Sequence, residues 1–414
     1  MKSLSIRGAL GSLSLSMLLA SLGTSIANVG LPALAEAFSA SFQAMQWVVL
    51  AYLLSITVLI VGVGRLGDLM GRRRLLLIGI ALFTVASLLC AMAPSLWLLI
   101  AARALQGVGA AIMMALSMAL VSGAVPKEKT GSAMGVLGTM SAIGTCLGPT
   151  LGGVLIALAG WQGIFLINVP LGVLALGLAW RFLPVDRHET MSTHPGFDAL
   201  GTLTMLGNPL LSAGFAMSAL VTTVVMATLV VGPFYLSGAL GLKAASVGLV
   251  MSAGPLVAAL AGMPAGRLVD RLGAQRSGAL GLVAMFTGAC ILPVVPMNLG
   301  VLGYLVPLVV LTAGYALFQA ANNTAVMLQI EAQQRGVVSG LLGLSRNLGL
   351  ITGASVMGAV FAFGTASEDI LQAQPEAIAQ GMQLTFAVAA GLILLALVLG
   401  ALSKIVSRRL IAPC

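Results

Sequence analysis

Apolar residues gather along this chain into twelve long blocks, at approximately 10–35, 46–64, 75–94, 97–121, 132–159, 162–183, 208–236, 245–266, 277–296, 299–329, 337–363 and 381–403. A helix needs about 20 apolar residues to cross the hydrocarbon core of a bilayer, so the pattern predicts twelve spanning helices joined by short connectors. Lys2 and Arg7 precede the first block as they would in a signal peptide. Its apolar run outlasts a signal-peptide core, which predicts an uncleaved first span.

Composition agrees with that pattern. Of 414 residues only 31 are charged, 7%, while 59% are hydrophobic. A soluble domain carries about 25% charged residues because its surface faces water, so the solvent of this chain is lipid. A soluble enzyme, a nucleic-acid binder and a secreted disulfide scaffold are excluded together. The 51 glycines are scattered through apolar runs, where small residues let helix backbones approach closely. Cys90, Cys146, Cys290 and Cys414 have neither metal-ligand nor redox spacing and read as small apolar fillers.

The net charge of +9 changes the picture through its placement. Seventeen of the 20 Lys and Arg residues fall in one alternate set of connections and termini. The other set holds Lys243 with the acids Glu36, Glu368, Asp369 and Glu376. By the positive-inside rule both termini are cytoplasmic, which requires an even number of spans. The basic residues will attract anionic lipid headgroups without any dedicated site, and no nucleic acid is implied.

An internal repeat divides the chain. Gly64-Arg65-Leu66-Gly67-Asp68-Leu69-Met70-Gly71-Arg72-Arg73-Arg74 matches Gly266 through Arg276 at an offset of 202, with both outer glycines, the aspartate and the last arginine coinciding. Gly135, Gly138, Gly144, Gly148 and Gly153 match Gly340, Gly343, Gly349, Gly353 and Gly358 at an offset of 205. A duplicated six-span unit follows, with bundles at 1–183 and 208–414 and a cytoplasmic loop at 184–207. That loop holds Asp186, His188, Glu189 and His194, which read as a solvated linker and not as a metal site. Two pseudo-symmetric six-helix halves are the plan of a secondary transporter, with its binding site between them near the midplane.

Several segments carry candidate chemistry. Gly64, Asp68, Gly71 and Arg72, with their copies Gly266, Asp270, Gly273 and Arg276, suit a latch that holds one conformation and releases in another. Arg103 lies inside the fourth block. A charge there costs about 2.5–3.5 kcal/mol on insertion scales, which marks it as functional. Gly144, Gly148, Pro149, Gly152 and Gly153 give the fifth block a close-packing face and a kink. The repeat partner of Pro149 is Ala354, so only one half has the proline. Polar residues placed at a central substrate cavity are Asn28, Tyr52, Gln106, Asn168, Gln319, Asn322, Asn323, Arg346 and Asn347.

These motifs resemble the major facilitator superfamily, and within it the drug:proton antiporter branch. Gly64 to Arg74 resembles the loop motif between helices 2 and 3. Leu99 to Ala111 resembles the helix 4 arginine motif, and Gly144 to Gly153 the antiporter motif of helix 5. LGTSIANVGLP (Leu22–Pro32) and WQGIFLINVPLG (Trp161–Gly172) resemble the subfamily that usually has fourteen spans. Here the region after Phe197 runs quickly into the next span, which predicts twelve. Relatives often carry an acid in helix 1 where this chain has Gly23.

The resemblance implies an all-α integral membrane protein of the major facilitator fold. It implies a monomeric, multi-pass protein of the bacterial inner membrane that is not an enzyme and needs no cofactor beyond the proton gradient. The expected function is proton-coupled export of small amphiphilic drugs or toxic metabolites, with antibiotic resistance as its outcome. Symport, or export of one specific metabolite without proton antiport, is the alternative. No Asp or Glu lies deep in any span, so coupling is expected to run through Asp68, Arg103 and water. Neutral or anionic amphiphiles are favoured over cations, with Arg103 and Arg346 supplying positive potential.

Overall fold

The protein is described by a computed structural model covering residues 2–124, 130–183, 209–327, 335–366, 370 and 372–411. The expected central loop, 184–207, lies outside the described residues. Among the described residues, twelve helices occur where the apolar blocks predict them. In the first half these are α1 (Lys2–Phe38), α2 (Phe42–Met70), α3 (Arg72–Ala91), α4 (Leu96–Ala124), α5 (Thr130–Ala159) and α6 (Gly163–Leu166 and Asn168–Phe182). In the second half α7 spans Pro209–Phe234 and runs into a π-turn at Tyr235–Ala239. There follow α8 (Ala244–Met251 and Ala253–Leu272), α9 (Ala274–Ile291) and α10 (Gly300–Met327). Helix α11 consists of Arg335–Thr352 and Gly358–Thr365 around a π-turn at Gly353–Met357, and α12 spans Pro375–Ile411.

Among the described residues eleven helices are long and apolar enough to cross a membrane. Helix α9 is the one that falls short, because Gln275, Arg276 and Ser277 dilute its first turn. Helices suit a lipid solvent because each satisfies its own backbone polar groups internally. Many large apolar side chains remain exposed, such as Val58, Trp97, Leu158 and Phe363. Against water such a surface would be an aggregation hazard; against lipid it costs nothing.

The chain forms two compact units. Unit 1 is Met1–Arg187 with Gly232–Pro255 and Ser367–Ile378, so the ends of α7, α8 and α12 nearest those segments group with the first six helices. Its core is contiguous, with Leu13, Tyr52, Ile80, Phe83, Met113 and Leu116 all fully buried. Unit 2 contains the rest of α7 and α8, then α9, α10, α11 and most of α12. There Leu211, Phe215, Val326, Val338 and Leu342 form a smaller core between α7, α10 and α11.

Tight turns join α2 to α3 and α8 to α9. Gly71 sits at φ 91° and Gly273 at φ 81°. Side-chain-bearing residues rarely adopt this conformation, which accounts for the glycine in both copies of the repeated motif.

Candidate functional site

Arg103 is the centre of the most polar part of unit 1. It is the largest of the fully buried side chains, 1% exposed, and its acceptors come from three helices. Its Nε donates to the Val48 carbonyl of α2 at 3.0 Å. Nη1 and Nη2 both reach the Gly23 carbonyl of α1 at 3.2 Å. Nη1 also donates to Gln106 Oε1, one turn along α4, at 2.5 Å. Gln106 Nε2 donates in turn to Ser87 Oγ of α3 at 2.7 Å, and Ser87 Oγ donates to the Phe83 carbonyl. The guanidinium carbon lies 4.2 Å from the centroid of the Tyr52 ring and 5.9 Å from that of Phe165. Tyr52 is fixed by its own hydroxyl, which donates to the Ala20 carbonyl at 2.7 Å.

The charge is therefore held by carbonyl dipoles, one amide and two aromatic faces. Charge-assisted hydrogen bonds contribute about 1.5–3 kcal/mol each, and a desolvated cation–π contact about 2 kcal/mol. Together these offset the insertion cost that singled the residue out. No carboxylate among the described residues reaches Arg103. Space explains why: a Cβ on Gly23 would stand 2.9 Å from the Tyr52 hydroxyl and 3.3 Å from the Phe83 ring. A side chain at position 23 would have to displace both of these groups. The glycines of α4 complete the arrangement, since a Cβ on Gly107 would meet the Tyr52 carbonyl at 2.6 Å and one on Gly109 the Phe83 nitrogen at 2.7 Å.

The glycine face of α5 is used along its length. Gly144, Gly148 and Gly152 lie against Leu18, Ser25 and Ile26 of α1 with no space for a side chain. Ser25 Oγ donates to the Gly144 carbonyl at 3.4 Å, and Ser21 and Ser141 share a hydroxyl–hydroxyl bond of 2.6 Å. Gly153 faces the other way, onto α8, where a Cβ would meet the Ala244 carbonyl at 2.5 Å and Gly248 Cα at 3.0 Å. Pro149 lies within α5 and has no N–H for the Thr145 carbonyl, which opens the helix ladder beside that contact.

The predicted cavity residues divide into distinct groups. Tyr52 and Gln106 are buried against Arg103, the first through its ring and the second through its amide oxygen. Asn28 and Asn168 are buried too. Each amide nitrogen donates four residues back, to Thr24 and Ile164 carbonyls at 3.2 and 3.3 Å, and each Oδ1 is left without a donor. Asn322 is 6% exposed and ties α10 to α7 through the Gly214 carbonyl at 3.1 Å. Gln319 and Arg346 both lie close enough to the Tyr315 hydroxyl to interact with it. Arg346 is exposed on α11, while Asn323 and Asn347 are half-buried.

In the repeated loop motif, Gly64 and Asp68 lie on α2 but their side-chain surroundings fall outside the described residues. Arg73 Nη2 donates to the Trp180 carbonyl of α6 at 2.6 Å. Arg72 is exposed, and it has interactions of its own. In the second copy Gly266 has open space beside it, and Asp270 and Arg276 are exposed. Neither of those two makes an ion pair among the described residues.

Sequence reading missed Ser87, Phe165 and Tyr315 as members of these sites. Tyr315 stands one helical turn before Gln319, a spacing that could have revealed it. The others are brought together only by the fold.

Known proteins resemble this chain in sequence and in fold. Residues 13–354 match the family model described as Major Facilitator Superfamily. The riboflavin transporter RibZ of Clostridioides difficile is 30% identical over 83% of this chain and 86% of its own length. The multidrug resistance protein Stp of Mycobacterium tuberculosis is 30% identical over 81% of this chain and 72% of its own. In fold, the chain resembles a bacterial homologue of the human lysosomal transporter Spinster, with a TM-score of 0.82 at 15% identity over 97% and 98% of the two chains. The chain belongs to the Major Facilitator Superfamily, in its drug:proton antiporter branch.

Proposed function

We propose that the protein exports small amphiphilic molecules against a proton gradient by alternating access, and that its substrates are uncharged or anionic. The observation that carries this reading is the setting of Arg103. A buried charge satisfied by neutral acceptors, beside a Gly23 that carries no acid, leaves an unbalanced positive potential in unit 1. Arg346 adds a second positive charge in unit 2, with no carboxylate paired to it among the described residues. An organic cation would meet repulsion from both and find no deep counter-charge. Asp68 is the titratable group of this reading and Arg103 the fixed charge that biases it. Both termini lie in the bacterial cytoplasm, as the arginine-rich connections require, and the monomer is the working unit. The relatives support export of amphiphiles, one being named a multidrug resistance protein.

Collapse of a pH gradient in everted vesicles tests the reading. Neutral and anionic amphiphiles should collapse the gradient, and a permanent dication should not. A dication exported at the same rate would overturn it. RibZ, named as a riboflavin transporter, favours the second reading, a transporter of one specific metabolite. Under that reading a single compound would move and the rest of the panel would not.

A further inference from the structure

We propose that Trp161 is a positioning residue for Arg103 and acts on the buried charge through the ring of Phe165; the inference rests on the export reading in giving Arg103 its part in transport. Four side chains of unit 1 stand in line. The Phe38 and Trp161 rings are tilted against one another with centroids 5.1 Å apart. Trp161 meets Phe165 edge to face at 6.3 Å, and the Phe165 centroid lies 5.9 Å from the Arg103 guanidinium carbon. Both ring pairs fall in the range of about 4.5–7 Å where aromatic side chains attract. The last step is within the reach of about 6 Å for a cation over a ring.

The line begins at the end of α1 farthest from the arginine-rich connections and ends in the core. Phe38 is the last residue of α1, and Ser39 turns the chain there at φ 46°. Gly160, at φ 69°, turns the chain after α5 and delivers Trp161 beside Phe38. Phe165 is fully buried.

Phe165 needs this support. It lies in the four-residue first segment of α6, Gly163–Leu166, which a break at Ile167 separates from the rest of the helix. A single turn makes too few backbone hydrogen bonds to be rigid by itself, so the ring is set by what packs on it. Tyr52 already covers the guanidinium at 4.2 Å, and Phe165 is its second ring. The other half of the chain serves as an internal control. At the repeat offset of 205, Trp161, Phe165 and Arg103 correspond to Ala366, Ile370 and Leu308. The rings stand in the half that has the charge, and neither the rings nor the charge is repeated in the other.

The first test is independent of transport. It uses the full-length protein in nanodiscs with Trp47→Phe, Trp97→Phe and Trp180→Phe, so that Trp161 alone emits. Those three residues are exposed, and the Trp180 carbonyl that accepts from Arg73 survives the change. Arg103→Lys keeps the charge but withdraws the guanidinium from the ring, and it should shift the emission maximum of Trp161. In a Phe165→Leu background the same substitution should produce no further shift. An equal shift in both backgrounds, or none in either, would overturn the proposal.

The second test is flux of an amphiphilic carboxylate in proteoliposomes. Trp161→Leu and Phe165→Leu should each lower the maximal rate about tenfold. The double variant should fall no further, because both act through one contact. Trp161→Phe should keep most of the wild-type rate. Losses that multiply, or a Trp161→Phe as slow as Trp161→Leu, would overturn the positioning role. A wild type without flux would overturn the export reading instead, and the emission shift would still decide whether Trp161 reaches Arg103.

Discussion

The crossing of α3 with α4 and the crossing of α9 with α10 are built alike, yet only the first surrounds a charge. A Cβ on Gly109 would meet the Phe83 nitrogen at 2.7 Å and the Gly79 carbonyl at 2.8 Å. A Cβ on Gly314 would meet the Gly281 carbonyl at 2.6 Å and the Met285 nitrogen at 2.8 Å. These are the same positions displaced by the repeat offsets of 202 and 205. The residue that corresponds to Arg103, however, is Leu308, a buried aliphatic side chain. Backbone-on-backbone contact has been kept in both halves, whereas the buried arginine stands in one.

The α5 and α11 helices extend the comparison. Gly349 and Gly353 pack on Ala219, Thr222, Thr223 and Met226 of α7, as Gly144 and Gly148 pack on α1. Thr223 Oγ1 donates to the Gly349 carbonyl at 3.1 Å, the counterpart of Ser25 on Gly144. Where α5 has Pro149, α11 has a π-turn over Gly353–Met357. Both interrupt the i to i−4 ladder at one position of the repeat, the first by removing a donor and the second by inserting a residue. The two halves reach the same local defect by different chemistry.

The largest expected effect comes from making the halves alike. Arg103→Leu should reduce export to background and also lower the Tm. The hydrogen bonds of the guanidinium, about 1.5–3 kcal/mol each, and the orphaned Gln106 oxygen, about 1–3 kcal/mol, outweigh the about 2.5–3.5 kcal/mol returned on removing a membrane-buried charge. Flux in proteoliposomes and the Tm of the same preparation check both parts. Flux well above background in the protein that remains folded would mean that Arg103 is merely structural.

Gly109→Ala and Gly314→Ala should each destabilise by about 1–3 kcal/mol, since the added methyl meets backbone that cannot swing aside. Unequal losses would break the claim that the two crossings are equivalent. Gly23→Ala should cost a similar amount, and Tyr52→Phe in the same chain should recover part of it by removing the hydroxyl that the new Cβ meets. Absence of recovery would place the conflict elsewhere. A proline inside an ordinary helix costs about 3 kcal/mol or more. Ala354→Pro, within the π-turn where that ladder is already broken, should cost less than about 1 kcal/mol by thermal unfolding. The smallest effects belong to Gly138→Ala and Gly343→Ala, which face open space in both halves. They should be neutral or stabilise by about 0.5–1 kcal/mol through helix propensity alone.

Much of the fold was legible because lipid simplifies the code. A run of apolar residues has few uses other than a spanning helix, and the repeat of Gly71 in Gly273 marked two equivalent turns before their positive φ values were known. The setting of Arg103 was legible only as a cost. Its position announced that partners must exist, but three of its four hydrogen bonds end on the backbone carbonyls of Val48 and Gly23, which any residue supplies. Tyr52 and Gln106 read as cavity residues because polarity in an apolar helix does not say whether it faces a substrate or a neighbouring charge. The π-turn of α11 left no signal, since GASVM has no proline and no other marked breaker of the helical pattern.

The central claim is that positive potential, unopposed by a deep carboxylate, sets the charge of the substrate. The most direct measurement compares gradient-driven transport of an amphiphilic carboxylic acid and of its methyl ester, in wild type and in Arg346→Gln. The account predicts that the acid is transported by wild type and loses about tenfold in rate in the variant, with the ester unaffected. Equal loss for acid and ester, or no loss for either, would contradict it.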